Sequence, residues 1–320
     1  MSDRDRLAVV AVGGNSLITD ADHVAIPYQA ETAAVTAGYI AEMVASGWRV
    51  VVTHGNGPQV GFILRRSELG QPEVPPIPMN YATSNTQGSI GYMFQRSLRN
   101  ELSRRDLETE PVAVITQALV DKADPDFAKP SKPIGPYLDE ATAHRRSSQQ
   151  GWKVIEDSGR GWRRVVASPR PRRILELEII RRMVAAGDLV IACGGGGLPV
   201  FIDGNGDLRG VEAVVDKDYS SALLAKGLKA DLLLISTAVE TISLHYNTDR
   251  ETPLRQLTVS DARRYLAEGH FPAGSMGPKV EALVDYVTST GGTGIVTDPE
   301  NLLRGLRGET GTRVVADDPS

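Results

Sequence analysis

The 320-residue chain contains one cysteine, Cys193. A disulfide within the chain is therefore impossible, and a zinc site built on cysteines is close to excluded. The five histidines, at 23, 54, 144, 245 and 270, show no metal-ligand spacing. Aromatic residues are only 5% of the chain, which weighs against stacking on nucleobases. Positive charge is not in excess either. Lys and Arg number 35 against 40 Asp and Glu, a net charge of −5, unlike a chain built to hold nucleic acid by its phosphates. No apolar run reaches membrane-spanning length. Met1–Arg6 leads straight into a strand-like run and lacks the apolar core of a signal peptide. A cytoplasmic protein with neither nucleic-acid nor membrane partners is expected.

What is present is ordinary globular composition, 41% apolar and 23% charged, with one excess. Glycine accounts for 32 of the 320 residues, a tenth, against a typical value of about 7%. The length permits one large domain or two ordinary ones.

Four apolar, β-branched runs read as buried strands: Leu7–Val12, Arg49–Thr53, Asp188–Ala192 and Asp231–Ser236. Helical patterns lie between them, over Glu31–Ser46, Gln87–Arg105, Arg172–Ala186 and Pro278–Thr290. Strands alternating with helices predict an α/β fold with a mainly parallel sheet covered on both faces. Residues 118–165 break that pattern with Pro125, Pro130, Pro133 and Pro136. A hairpin of Trp152–Asp157 and Trp162–Ala167 follows, with Trp152 and Trp162 expected to pair across it. This stretch reads as an excursion from the main sheet, a flap or small subdomain.

Three of the predicted strands end in glycine turns. These are Gly13-Gly14-Asn15, His54-Gly55-Asn56-Gly57-Pro58 and Gly194-Gly195-Gly196-Gly197. Ligands of open α/β sheets bind at the carboxyl ends of strands. There, glycine lets backbone N–H groups approach an anion, and a helix start adds its positive end. Tight connections also use such turns, but three at strand ends favour an anion site. No Gly-x-x-x-x-Gly-Lys-Ser/Thr occurs, so a Walker A loop is excluded. The Gly55–Gly61 pattern mimics a dinucleotide-binding loop only loosely, which leaves a dehydrogenase a poor runner-up.

Two lysines stand at helix starts. Lys217 lies between Asp216 and Asp218, and Lys279 follows the turn Gly274-Ser275-Met276-Gly277-Pro278. A cation in a first helical turn opposes the helix dipole, which makes sense beside an anion. Backbone donors, lysines and Mg²⁺ are the equipment of phosphoryl transfer. His54 and Cys193 adjoin glycine turns and are read as structural. Arg160, Arg163, Arg164, Arg170, Arg172 and Arg173 form a basic run, read as a solvated hairpin and helix start.

Taken together, the motifs resemble the carbamate kinase family, of the amino-acid kinase fold, over essentially the full length. The matching segments are Ala11–Leu17, Thr53–Gly61, Gly88–Met93, Lys129–Pro136, Val166–Pro169, Gly194–Val200, Gly210–Asp218 and Phe271–Ala282, in that order. The resemblance implies a three-layer αβα sandwich, with 118–165 as a protruding lid subdomain. Within a single domain over 1–320, residues up to about 200 would hold carbamate and 201–320 the nucleotide. It further implies reversible phosphoryl transfer between ATP and carbamate, giving ADP and carbamoyl phosphate, with Mg²⁺ and a homodimer. By the same resemblance, Lys217 and Lys279 clamp phosphate, Asp218 organises them, and Lys132 reaches in from the subdomain. Gly13, Gly14 and Asn15 donate to the phosphoryl group or carbamate, and Gly55, Asn56 and Gly57 form the carbamate pocket. Asp216, Thr237, Val239, Tyr246 and Met276 lie on the nucleotide side; no residue is assigned to the metal. Ala11 departs from the wider fold, whose members often carry a lysine there, and Lys217 supplies that charge. Another small-acid kinase of this fold and a catalytically silent nucleotide sensor are the alternatives.

Overall fold

Leu7–Val12 forms strand β1, and all six of its residues are buried. The structure, a computed structural model, describes residues 6–14, 17–18, 23–156, 161–272 and 274–317. After β1 come α1 (Ile26–Ala45), β2 (Arg49–His54), α2 (Gln59–Leu69) and α3 (Met79–Ser103). The middle of the chain supplies β3 (Pro111–Ala113), β4 (Gln117–Val120), α4 (Pro125–Ala128), β5 (Lys132–Leu138), α5 (Glu140–Gln150) and β6 (Lys153–Glu156). It continues with β7 (Trp162–Val166), β8 (Pro171–Ile174), α6 (Leu177–Ala186), β9 (Leu189–Ile191), β10 (Leu198–Ile202) and β11 (Leu208–Gly210). Then follow α7 (Lys217–Leu228), β12 (Leu232–Ser236), β13 (Ile242–Leu244), β14 (Thr252–Leu254) and β15 (Gln256–Thr258). The chain closes with α8 (Val259–Ala267), α9 (Met276–Thr290), β16 (Thr293–Thr297), α10 (Leu302–Leu306) and β17 (Thr312–Val315).

The main sheet has eight strands in the order β15-β17-β16-β12-β1-β2-β9-β3. Every pairing in it is parallel except β16 with β17. Alternate residues of β1 face opposite layers, as strand geometry demands. Val9 and Ala11 pack with Leu233 and Ile235 in the core that also holds Leu224 of α7 and Leu283 of α9. Ala8, Val10 and Val12 pack with Leu234 in the core that holds Ile40 of α1 and Phe94 of α3. Helices on both faces of a mainly parallel sheet give three αβα layers, as the near-continuous apolar strands predict. Among the described residues, no helix is long and apolar enough to cross a membrane.

Element boundaries depart from the sequence reading where proline and polar contacts intervene. Helix α1 begins at Ile26, with Pro27 in its first turn, a position where a missing N–H costs nothing. Helix α6 begins only at Leu177. The preceding residues 171–174 form β8 against β4, and the Glu176 carboxylate accepts hydrogen bonds from the Gln117 N–H and side-chain amide.

Strand β4 belongs to a second sheet of order β11-β10-β4-β8, while β5, β7 and β6 form a separate antiparallel sheet crossed by α5. This three-stranded sheet, spanning 132–166, rests on α2 through Val60, Leu64, Ile134 and Val166. The hairpin is present, but its tryptophans do not pair. Trp162 lies opposite Glu156 and against the His144 ring at 5.0 Å, whereas Trp152 lies under the guanidinium groups of Arg146 and Arg164.

Candidate active site

Because β1, β2 and β9 are parallel, their glycine turns lie at one edge of the sheet. Helix α7 begins at that edge. Asp216 caps it, its Oδ1 accepting from the Asp218 N–H at 2.9 Å. Small residues bring this helix close to the turns. The Ser220 hydroxyl donates to Gly196 O at 2.6 Å, and the Ser221 hydroxyl lies 2.6 Å from that of Thr53 on β2. Lys217 is thereby placed beside Gly55, where a Cβ would meet its Cδ at 3.5 Å.

Asp218 is the hub. Its Oδ1 accepts from Lys217 Nζ, and its Oδ2 accepts from Lys279 Nζ at 3.0 Å. Burial alone would raise the Asp218 carboxyl, but the two ammonium groups outweigh it and hold it well below the usual carboxylate range. Burial pushes the Lys217 ammonium down, opposed in part by Asp218. Burial also pulls on Lys279, yet attraction to Asp218 prevails and raises it. Lys132, from β5, pairs with Oδ2 of Asp216. Three lysines thus sit on two carboxylates, a formal surplus of one positive charge for an incoming anion.

These residues line a cleft of about 760 Å³ together with Gly14, Gly55, Asn56 and Gly57. A smaller cavity of about 210 Å³ adjoins it and is lined by Thr237, Val239, Tyr246 and Met276. Ser275 and Lys279 line both. Of the residues expected on the nucleotide side, Thr237, Val239, Tyr246 and Met276 thus share one cavity. Asp216 belongs to the larger cleft, beside Lys132, and not to the smaller cavity.

Gly13 also requires correction. Its N–H donates to Ser236 O at 3.1 Å, so it is not free for an anion. A Cβ there would lie 2.6 Å from that same oxygen, so the residue serves the close approach of β1 to β12. Gly14 does face the cleft, while Asn15 lies outside the described residues.

The tetraglycine turn after β9 is shaped by packing. Gly195 has φ +65° and lines the cleft, and a Cβ there would fall 2.2 Å from the Asn56 Oδ1. Asn56 is held from below by α3, whose Thr86 hydroxyl donates to its Oδ1. The next residue, Gln87, donates to Gly194 O at 2.8 Å and to Thr116 O at 3.0 Å, and accepts from the Thr116 N–H at 2.9 Å. Sequence reasoning missed Thr86 and Gln87; the signal was a run of polar residues inside a long helical pattern. It also missed Arg163 and Tyr137, which line the cleft from the subdomain.

His54 and Cys193 are both buried. Burial lowers His54 to about 4, so the ring is neutral. Its Nδ1 lies 2.8 Å from Gly55 O, which can only accept, so Nδ1 carries the proton. Burial raises the Cys193 thiol well above its ordinary value. Neither lines the cleft.

A layered αβα fold whose strand-end turns meet a lysine–carboxylate–lysine cluster defines a class of small-molecule phosphotransferases. The chain belongs to the amino acid kinase family, whose model matches residues 6–298. Carbamate kinases are among the relatives it matches over nearly its full length. That of Pyrococcus horikoshii is 48% identical over 308 residues, covering 96% of this chain and 98% of that one. Carbamate kinase 2 of Enterococcus faecalis is 44% identical over 96% of this chain and 97% of its own. The solved structure of carbamate kinase from Giardia lamblia bound to AMP-PNP superposes with a TM-score of 0.90. It is 35% identical and covers 99% of this chain and all of that one.

Proposed function

We propose that the chain is an ATP:carbamate phosphotransferase, interconverting ATP and carbamate with ADP and carbamoyl phosphate. The observation that carries this reading is Asp218 held between Lys217 and Lys279 where two cavities meet. The larger cleft takes carbamate, between Gly14, Asn56 and Gly57. The smaller cavity takes the nucleotide base and sugar, with Met276 and Tyr246 as apolar walls. The relative bound to AMP-PNP, an ATP analogue, supports that side of the reading. In this view residues up to about 200 serve carbamate, 201–320 serve the nucleotide, and the β5–β7 sheet acts as a lid.

Both substrates are anions and repel each other. Lys217 and Lys279 neutralise charge on the transferring group, each such positioned cation contributing roughly 10²–10³ in rate. Asp218 need not touch phosphate; it holds the two ammonium groups in register. Lys132 leaves Asp216 for the substrate when the lid engages. The carbamate oxygen is already ionised, so no general base is needed, consistent with His54 and Cys193 lying outside the cleft lining. Approach in line, with charge dispersed over the transferring oxygens, is what the cleft has to stabilise.

Mg²⁺ favours oxygen ligands and commonly binds through substrate phosphates with one or two carboxylates. Both cleft carboxylates are engaged by lysines, and no cluster of three or more metal-ligating side chains occurs among the described residues. The ion would enter with the nucleotide, held by its phosphate oxygens, and would supply neutralising charge on the transferring group. We also infer a homodimer, because Tyr92 and Ile115 are exposed around one small surface cavity and suit burial against a second copy. A cytoplasmic location follows from the need for ATP or ADP.

A substrate panel tests the assignment. With ATP and Mg²⁺, carbamate should be phosphorylated at least tenfold more efficiently than acetate, aspartate or N-acetylglutamate. Equal or better use of any of those acids would make the chain a different small-acid kinase.

A further inference from the structure

A separate cavity of about 210 Å³ adjoins the catalytic cleft and shares with it only Gly61 of α2 and Ile134–Pro136 of β5. Its lining is unusually basic. Arg65 comes from α2, Arg145 and Arg146 from α5, and Arg164 from β7, with Glu68 the one carboxylate among them. Glu68 Oε2 lies 3.0 Å from Arg65 Nη1 and 3.4 Å from Arg146 Nη1, so one carboxylate is shared by two guanidinium groups. Arg145 donates to the Thr142 hydroxyl at 3.2 Å. The nearby Asp139 carboxylate is occupied in capping α5.

Arg164 stands out. Among the described residues it has no hydrogen-bond or ion-pair partner, and its guanidinium rests over the Trp152 ring, 4.6 Å from the centroid. Burial depresses it, opposed by the nearby charges of Glu68 and Glu212. The sequence reads the basic run as a solvated hairpin and helix start, but strand alternation along β7 divides it. Arg163 turns to the catalytic cleft and Arg164 to this cavity. Four guanidinium groups stand against Glu68 in the lining and Glu212 near Arg164, a formal surplus of two positive charges.

We propose that this cavity is a binding site for a compact polyanion of phosphate chemistry, distinct from the catalytic cleft, whose occupancy ties the β5–β7 subdomain to α2. Guanidinium forks match phosphate oxygens in pairs and hold their geometry better than lysine. Two guanidinium groups already lie over the Trp152 ring, so the indole serves as a wall and not as a platform for a base. The arginines come from both sides of the seam between α2 and the subdomain, so one anion bridges them. Strand β5, which forms the shared wall, also carries Lys132. The site is thus coupled to the cleft through a single strand.

The test uses the full-length protein and inorganic pyrophosphate with EDTA, followed by calorimetry. The double variant Lys217→Ala/Lys279→Ala removes the two clamp lysines from the cleft, where Lys132 and Arg163 remain, and leaves the cavity lining intact, so the arginine substitutions below assign the binding to the cavity. Pyrophosphate should still bind this variant with a stoichiometry of one. Adding Arg164→Met should weaken that binding roughly tenfold or more, the loss expected for a charge-assisted hydrogen bond. Adding Arg145→Met instead, at the exposed rim where folding is not at stake, should weaken it as well. Absence of binding to the double variant would overturn the proposal, since pyrophosphate would then belong to the cleft. Affinity unchanged by both arginine substitutions would overturn it equally.

Discussion

Lys132 and Asp216, 84 residues apart, form an ion pair that joins the subdomain strand β5 to the cap of helix α7. The pair closes the cleft on one side, and it spends on Asp216 a charge that an anionic substrate could claim. Lys132→Ala should therefore lower kcat by about 10²-fold, the usual cost of a lost charge clamp. The affinity for ADP, read by calorimetry, should stay within twofold. A parallel loss of ADP affinity would remove Lys132 from the carbamate side.

Asp218 and Lys217 predict the pH profile. The depressed Asp218 carboxyl stays ionised down to strongly acid pH, and its stabilising contribution is lost only as pH falls through that low value. The Lys217 ammonium is lowered, so it loses its proton on the alkaline side before an ordinary lysine, at about 10.4, would. The rate of ATP formation should fall with an alkaline limb below that value. In Asp218→Asn the limb should move to still lower pH, because the carboxylate that raises Lys217 is gone, and kcat should drop by roughly 10²-fold. A limb at the same pH in both proteins would contradict the assignment.

His54 gives a stability prediction of definite sign. Folding lowers it from 6.5 to about 4, so the unfolded chain binds the proton more tightly. Stability should fall as pH drops from about 6.5 towards 4 and level off below that. The total loss is about 3 kcal/mol for a fully buried ring. Denaturant titrations from pH 7.5 to 4 measure this loss directly. His54→Gln should flatten the slope by up to one proton, and an unchanged slope would show that another group is responsible.

Gly195→Ala probes the turn that lies against Asn56 in the cleft. Its φ of +65° costs an alanine about 1–2 kcal/mol, and the new Cβ would force the Asn56 side chain away. We expect a lower Tm and a KM for carbamoyl phosphate raised at least fivefold, with the KM for ADP little changed. Steady-state kinetics with each substrate varied in turn separates the two.

The layered sheet was legible because its strands are nearly continuous apolar runs. Leu7–Val12 needs no information beyond its own composition to be buried on both faces. Lys217, Asp218 and Lys279 were legible as charges at helix starts, where their position is otherwise unfavourable. Sequence alone could not reveal how free each group is. Gly13 reads like Gly14 until its N–H is seen bonded to Ser236, and that bond depends on the spacing of β1 and β12. Asp216 reads like Asp218 until the fold brings Lys132 to it from a different sheet. Thr86 and Gln87 look like the polar face of a helix, because the groups they satisfy, Asn56 and Gly194, are distant in sequence. Such pairings are set by long-range packing and leave no local trace.

The central claim concerns one reaction at one cluster. Supplying carbamoyl phosphate, ADP and Mg²⁺ and following ATP by luciferase tests it most directly, with Lys217→Ala run in parallel. The account predicts sustained ATP formation by the unaltered chain and a rate lower by at least 10²-fold in the variant. Absence of ATP formation by the unaltered chain, or equal rates in the two proteins, would contradict it.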